Sequence, residues 1–354
     1  MRQLNNAYLS RYQEHNGHRA VYELNEPSSG LKGFIAIHDL HLGYAVGGTR
    51  FFPYKNESEA LIDVLRLSKA MTYKCALAHM PHGGAKGVII ADPHVSNKRE
   101  ILKAYAECVD KLQGLFHTGE DVGISEDDVQ FMLKISPYFI GKTGYAGDPS
   151  PYAALTVFYS IKGAIRFLYG KDSLEGFSMA VKGVGKVGGE LVNLLISEGA
   201  KVYIADINPK VIQKFVKNFP QIKVVDPNFI HMEDVDVYSP CALGNEFNQF
   251  NKTQVKARII CGGANNQLES EDIGDWFFRM GKTYVVDYIA NSGGLINVAD
   301  ELEKGGYDAT RVVDRARAVR DVVENVLSRS KKLGVPPNRI ANQLAEEIFH
   351  HKIF

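Results

Sequence analysis

Two groups of residues in this chain have the types and spacing for chemistry. In the first, the apolar stretch Phe177–Val181 leads into Gly183-Val184-Gly185-Lys186-Val187-Gly188, the pattern Gly-x-Gly-x-x-Gly between a predicted strand and a predicted helix. The first glycine permits the tight turn, the second lets the backbone approach a pyrophosphate, and the third lets helix and strand pack closely. The helix N-terminus offers N–H donors and its dipole to the phosphates. The next apolar stretch, Lys201–Ala205, ends at Asp206, 18 residues beyond Gly188. A carboxylate there can accept both hydroxyls of an adenosine ribose and repels a 2′-phosphate. No arginine immediately follows it, so the expected cofactor is NAD rather than NADP.

The second group lies in the first half: Gly47-Gly48-Thr49-Arg50, Met71-Thr72-Tyr73-Lys74, Gly83-Gly84-Ala85-Lys86-Gly87 and Gly119-Glu120-Asp121-Val122-Gly123. By count alone, two lysines 12 residues apart are ordinary solvated charges. The glycines around Lys86 change that reading, because they let a ligand or another backbone come close. A lysine, ordinarily of pKa about 10.4, becomes a usable base when burial and a neighbouring cation lower it by a few units. Lys74 is expected to be such a neighbour for Lys86.

The elements that must position these residues follow from periodicity. Near residue 33 the run Gly-Phe-Ile-Ala-Ile reads as a buried strand, followed by a loop holding Gly43, Gly47 and Gly48. A helix starts at Asn56 with Glu59 as in a capping box, carries the inward stripe Leu61, Val64, Leu65 and Ser68, and is predicted to end near Thr72. A strand is predicted at 87–90, so Lys74 and Lys86 flank a short connection. Glycine and proline concentrate at 144–151, as in a hinge. Beyond it the pattern is helix (152–168), strand (177–182), helix (186–198), strand (201–205) and helix. Short strands follow near 234–238, 257–261 and 283–287, and two helical stretches separated by Gly334-Val335-Pro336-Pro337 close the chain. Alternating strands and helices imply a parallel sheet covered on both faces.

Composition sets the outer bounds. A chain of 354 residues exceeds the usual size of one core, so two domains are expected. Forty-one basic and 41 acidic residues cancel, which leaves no electrostatic reason to expect nucleic acid or an anionic membrane as partner. The four cysteines are far apart and form no Cys-x-x-Cys pair, which fits a reducing cytoplasm. The first residues are too polar for a signal peptide, and no apolar run approaches the roughly 20 residues that span a bilayer. His79 and His82 lack a third ligand at a helpful spacing, so no metal is expected.

In order and spacing, the lysine and glycine segments resemble the glutamate/leucine/phenylalanine/valine dehydrogenase family. The resemblance continues through Gly147-Asp148-Pro149-Ser150-Pro151, the nucleotide fingerprint, Asp236–Gly244, Gly263–Leu268 and Asn291–Leu302, and so covers nearly the whole chain. It implies an α/β fold of two domains separated by a cleft. Residues 1–148 would form a substrate-binding and oligomerisation domain, with a C-terminal helix at about 330–354 packed back on it, and 149–329 a Rossmann-type NAD domain. It implies reversible oxidative deamination of an L-amino acid to a 2-oxo acid and ammonia, by a homo-oligomer.

Carried over residue by residue, the resemblance implies that Lys74 holds the substrate carboxylate, with Gly47, Gly48 and Met71 lining the same site. Lys86 would activate water as general base, and Asp121 would shuttle protons to and from the amine, a task for which a raised pKa is expected. Asn266 would touch the substrate and Asn265 would lie near the nicotinamide ribose. Ile207, Cys241 and Ala242 would line the cofactor with the fingerprint residues. The glutamate-specific branch has lysine where this chain has Val46; an apolar residue there cannot compensate a second carboxylate, so an apolar substrate is expected. Gly119, where the leucine enzymes tend to have alanine, is expected to enlarge the pocket towards aromatic side chains. Ala153 and Tyr44 depart from the family's threonine and proline. The alternatives are a glutamate enzyme and a non-catalytic regulator binding a nucleotide or an amino acid.

Overall fold

The computed structural model describes residues 1–141 and 145–351, the side chain of His351 excepted. The chain groups into two compact units, one of Met1–Gly147, Val298–Asp308 and the residues from Ala345, the other of Asp148–Asn297 and Ala309–Leu344. The predicted hinge begins at Gly144, and the predicted last helix extends to 354; both ends lie outside the described residues.

The first unit is built on strands β1 (Arg2–Gln3), β2 (Ala20–Glu26), β3 (Leu31–Asp39), β4 (Ala45–Phe52), β5 (Gly83–Ile90) and β6 (Phe116–Gly119), in the order β1-β2-β3-β5-β4-β6. The first four in that order pair antiparallel; β4 and then β6 join in parallel. Its helices are α1 (Asn6–Leu9), α2 (Glu57–Leu77), α3 (Lys98–Asp110) and α4 (Glu126–Leu133). Strand alternation distributes the core between two faces. Phe34 and Ala36 of β3 pack with Leu61, Val64 and Leu65 of α2, as does Val88 of β5. Ile35, Ile37, Ala85 and Ile89 pack instead with Leu102 and Tyr105 of α3 and Val129 of α4. Lys86, in step with Val88, therefore faces the α2 side.

Three sequence expectations are corrected here. Asn56 caps α2 through the Glu59 N–H at 2.9 Å, as predicted, but the helix runs past Thr72 to Leu77 and puts Lys74 in its last turn. β5 begins at Gly83, so Lys86 is a mid-strand residue rather than one at an element's end. Gly47 and Gly48 belong to β4 and not to a loop. Glycine signals a turn only where the backbone needs it. Here it answers crowding: a Cβ on Gly47 would stand 1.8 Å from the Ala85 carbonyl oxygen, and one on Gly84 2.0 Å from the Thr72 nitrogen.

The second unit holds a parallel sheet of β7 (Ser178–Lys182), β8 (Lys201–Ala205), β9 (Lys223–Val224), β10 (Val237–Pro240), β11 (Ile259–Ile260) and β12 (Thr283–Tyr284), ordered β12-β11-β10-β7-β8-β9. Around it come α5 (Ser150–Tyr169), α6 (Lys186–Ser197), α7 (Pro209–Asn218), α8 (Glu271–Arg279), α9 (Asp287–Ala290) and α11 (Ala309–Leu333), while α10 (Gly293–Ala299) and α12 (Pro337–His351) begin in this unit and end in residues of the first. The strand order reverses at β7, which has β8 on one side and β10 on the other. Open α/β sheets bind ligands outside the carboxyl ends of the strands at such a switch point. Among the described residues, no helix is long and apolar enough to cross a membrane.

Candidate active site

Lys86 is 5% exposed, and its ammonium donates to Oδ2 of Asp121, two residues beyond the end of β6. The other carboxylate oxygen, Oδ1, accepts the Val122 N–H at 2.6 Å and faces Nε of Arg50 at 3.5 Å. Arg50 reaches it from β4, two residues and so one same-face step after Gly48. A Cβ on Gly48 would lie 2.6 Å from the Glu120 carbonyl oxygen and 3.0 Å from Cβ of Asp121, so a larger residue would displace the carboxylate. Burial by itself would push the Asp121 carboxyl up. Lys86 and Arg50 together outweigh it and hold the group well below the usual carboxylate range. The raised value expected from the proton-exchange role is thereby reversed, because the carboxylate is paired with the Lys86 ammonium and faces the Arg50 guanidinium as well. The result is a buried carboxylate and ammonium in direct contact, an arrangement that can pass a proton across one hydrogen bond.

Around this pair, Met71 of α2 brings Cγ to 3.3 Å from where a Cβ of Gly47 would stand. Lys74 is half-buried one turn further along α2. Val46 is fully buried, opposite Gly84 of β5 and His117 of β6. Gly119 pairs with Gly48, but it does not enlarge a pocket as expected: a methyl there would stand 2.7 Å from the Ile140 carbonyl oxygen. That glycine accommodates backbone. Tyr44 lies between His82 and His117 with its ring tilted to both, at ring distances of 4.8 and 4.6 Å, and donates to the Leu302 carbonyl at 3.2 Å.

Two further groups complete this cluster, and sequence reasoning gave them no role. Asp63, on α2, accepts from Nη1 of Arg50 at 2.9 Å and from the Tyr54 hydroxyl at 2.6 Å, both on Oδ2. Arg50 carried a usable signal, its place two residues after Gly48 in a strand. Asp63 and Tyr54 carried none, since only the packing of α2 on the sheet brings them to Arg50.

In the second unit the fingerprint forms the turn from β7 to α6. Gly183 has φ +85°, and Ala242 packs against it; the would-be Cβ of Gly188 lies 1.9 Å from the Gly183 carbonyl and 3.0 Å from Cβ of Cys241. Gly185 differs, with nothing within 4 Å of an added Cβ, and it caps α6 without a side-chain hydrogen bond. Open space at a helix N-terminus with free donors fits a pyrophosphate. Asp206 accepts the Val184 N–H at 2.8 Å and the Asn208 N–H at 2.8 Å, which fixes its carboxylate at the end of β8. Ile207 is 91% exposed beside it. Lys186 pairs with Asp148 at 3.1 Å, and Val187 packs near Gly263. Cys241 is half-buried, and desolvation pushes its thiol up, which disfavours the reactive thiolate. The Asn265 side chain accepts from Asn291 at 2.7 Å, while Asn266 has φ +50° and its carbonyl accepts from Asn245. Ala153 lies in the first turn of α5, where its carbonyl accepts the Thr156 hydroxyl at 3.0 Å. These residues fit a bound dinucleotide.

Comparison with known proteins agrees with this geometry. Residues 18–137 match the model of the Glu/Leu/Phe/Val dehydrogenase dimerisation domain, and 203–348 that of the glutamate/leucine/phenylalanine/valine dehydrogenase domain. The chain is 41% identical to a leucine dehydrogenase of Bacillus subtilis over 96% of its length and 93% of that protein's. It is 38% identical to a phenylalanine dehydrogenase of Bacillus thermotolerans, over 93% and 88%. The crystal structure of L-tryptophan dehydrogenase from Nostoc punctiforme superposes with a TM-score of 0.85 at 38% identity, covering 95% of this chain and 96% of that one.

Proposed function

Because the chain belongs to the glutamate/leucine/phenylalanine/valine dehydrogenase family and is an amino acid dehydrogenase, we propose that it oxidatively deaminates an apolar L-amino acid with NAD, with Lys86 and Asp121 as its acid–base pair. The observation that carries the reading is the buried Lys86–Asp121 contact. Gly183, Val184, Gly185, Lys186, Val187, Gly188 and Asp206 would hold NAD, with Ile207, Cys241, Ala242 and Asn265 beside it. When bound, NAD supplies the acceptor for the hydride leaving the substrate Cα.

The work of the chain's own residues is proton transfer and charge compensation. Loss of the hydride leaves an iminium, which water attacks to give a carbinolamine and then ammonia. Lys86, when neutral, takes the proton of the attacking water. Asp121, whose carboxylate lies against the Lys86 ammonium, relays protons to the departing amine. An acceptor held below the usual carboxylate range keeps little of the proton for itself, so it acts as a relay. Lys74 compensates the substrate carboxylate, with Gly47, Gly48 and Met71 alongside, and Asn266 is the second unit's candidate for a substrate contact. Val46 leaves no charge for a second carboxylate, and the relatives are named for leucine, phenylalanine, valine and tryptophan. Four free cysteines support a cytoplasmic location, and the matched dimerisation domain supports a homo-oligomer.

The test is to follow reduced nicotinamide by absorbance while screening the L-amino acids with NAD and with NADP. Turnover of branched-chain or aromatic substrates with NAD, and none with glutamate, is the expected result. Silence across the panel in both reaction directions would overturn it.

A further inference from the structure

Beside the acid–base pair lies a second, outer pair. Arg50 bridges the two: Nη1 is 2.9 Å from Asp63, while Nε is 3.5 Å from Asp121, a long contact for a guanidinium and a carboxylate. Asp63 is fixed on α2 and receives the Tyr54 hydroxyl on the same oxygen that holds Arg50. We propose that Asp63, held by Tyr54, is a positioning residue: by engaging the outer nitrogen of Arg50 it keeps that guanidinium from closing on Asp121, so that Asp121 stays paired with Lys86. The inference rests on the acid–base reading of Lys86 and Asp121.

Lys86, Arg50, Asp121 and Asp63 carry two positive and two negative charges within one chain of contacts. Their side chains are between 6% and 24% exposed, so water screens them little. Arg–carboxylate pairs prefer a close, two-pronged geometry. Among the described residues Arg50 is ion-paired with Asp63 and Asp121, so with Asp63 gone Asp121 is the carboxylate left in that set of contacts. The guanidinium then closes on it, and the carboxylate turns from Lys86. The cluster is also left with one uncompensated positive charge beside the Lys86 ammonium. The outer end, where Tyr54, Asp63 and Arg50 line a pocket of about 360 Å³, also receives Glu59 and Arg66 of α2. These two oppose each other in charge, Glu59 accepts the Lys55 N–H at 2.9 Å, and Asp63 is the carboxylate of this end that pairs with Arg50. Arg50 adds to Lys86 in holding the Asp121 carboxyl low, in keeping with a guanidinium felt across the longer contact.

The experiment compares Asp63→Asn, Asp63→Glu, Tyr54→Phe and Lys86→Ala in the full-length protein, measuring kcat, both KM values, the pH dependence of kcat/KM and thermal unfolding. Asp63→Asn is expected to lower kcat about tenfold or more with KM for NAD changed less than about twofold. It is also expected to move the acidic limb of the deamination profile to lower pH by roughly half a unit, because added positive charge expels a proton from the pair. Asp63→Glu, which restores the charge, returns the limb towards the parent position. Tyr54→Phe lowers kcat about threefold without moving the limb, since the charge is kept. A wild-type rate and profile in Asp63→Asn overturns the proposal, and so does a loss that tracks the fall in melting temperature with the limb unmoved. If Asp63→Asn does not fold, a wild-type kcat in Tyr54→Phe overturns it. Full activity in Lys86→Ala removes the acid–base reading itself and the proposal with it. An inactive Lys86→Ala beside a wild-type-like Asp63→Asn sinks the positioning role alone.

Discussion

The ammonium of Lys86 and the carboxylate of Asp121, 35 residues apart in sequence, meet in an ion pair inside the first unit. A buried pair of this kind adds little net stability, because desolvation offsets the attraction. Under the proposed reading its use is chemical, as it couples a base to a proton relay. Replacing Lys86 with alanine is expected to lower kcat by about a thousandfold, within the range attributed to a positioned acid or base. Fluorescence titration with reduced nicotinamide should return the parent affinity, as the fingerprint residues belong to the other unit. Lost cofactor affinity would mean that the substitution had disturbed the fold at large.

Gly119 provides a test of what sets substrate choice. Its Cβ position points at the Ile140 carbonyl oxygen, 2.7 Å away. An alanine there must push backbone, an overpacking cost of about 1–3 kcal/mol. Gly119→Ala is expected to lower the melting temperature by a few degrees. The ratio of kcat/KM for leucine to that for phenylalanine should stay within about threefold of the parent, less than a methyl facing the substrate can shift it. A large shift towards leucine with unchanged stability would show that the residue does line the substrate.

Much of this was legible in the residues themselves. The strand–turn–helix around Gly183–Gly188 and the carboxylate at Asp206 follow from local patterns, and β7, α6 and β8 appear close to their predicted places. The antiparallel part of the first sheet was not legible: β2 carries mixed polarity, and the pairing partners of β2, β3 and β5 are set by tertiary packing. The same limit hid the Arg50–Asp63 contact. Asp63 lies one residue before Val64 of the inward stripe and has no periodic signature of its own. The Gly-rich segments misled for a related reason, since close approach of strand and helix demands glycine as strongly as a turn does.

Asp206 joins cofactor choice to loop geometry. Its carboxylate holds the Val184 N–H at 2.8 Å and also stands where an adenosine ribose is bound under the proposed reading. Asp206→Ser removes the negative charge that repels a 2′-phosphate and retains one acceptor for Val184. We expect KM for NAD to rise about tenfold, roughly the value of one lost charged hydrogen bond. Reaction with NADP, measured in parallel, should improve relative to NAD. Unchanged preference between the two cofactors would remove Asp206 from ribose recognition.

The histidines behind α2 tie its support to pH. His18 places Nε2 at 3.1 Å from the Leu65 carbonyl and 3.0 Å from the Ser68 hydroxyl, and His38 places Nδ1 2.8 Å from the Thr72 hydroxyl. The rings contact each other at 4.8 Å, with His15 stacked on His18 and Phe349 and Tyr73 against His38. Burial lowers His18 to about 4 and His38 to about 3, and His15, Lys69 and His350 add like charge. The unfolded chain protonates both near pH 6.5, whereas the fold keeps them neutral. Their stabilising contribution is therefore complete above about pH 6.5 and declines as pH falls towards the folded values. Each histidine should cost about 2 kcal/mol of stability between pH 6.5 and 5. The melting temperature of the parent should fall over that interval, and His38→Asn, which can still reach Thr72, should show a shallower slope. Because Ser68 and Thr72 flank Met71 on α2, and Lys74 follows within a turn, turnover should fail in the same interval as α2 loosens. A melting temperature that stays constant from pH 6.5 to 5 would show that the histidine cluster does not support the helix in this way.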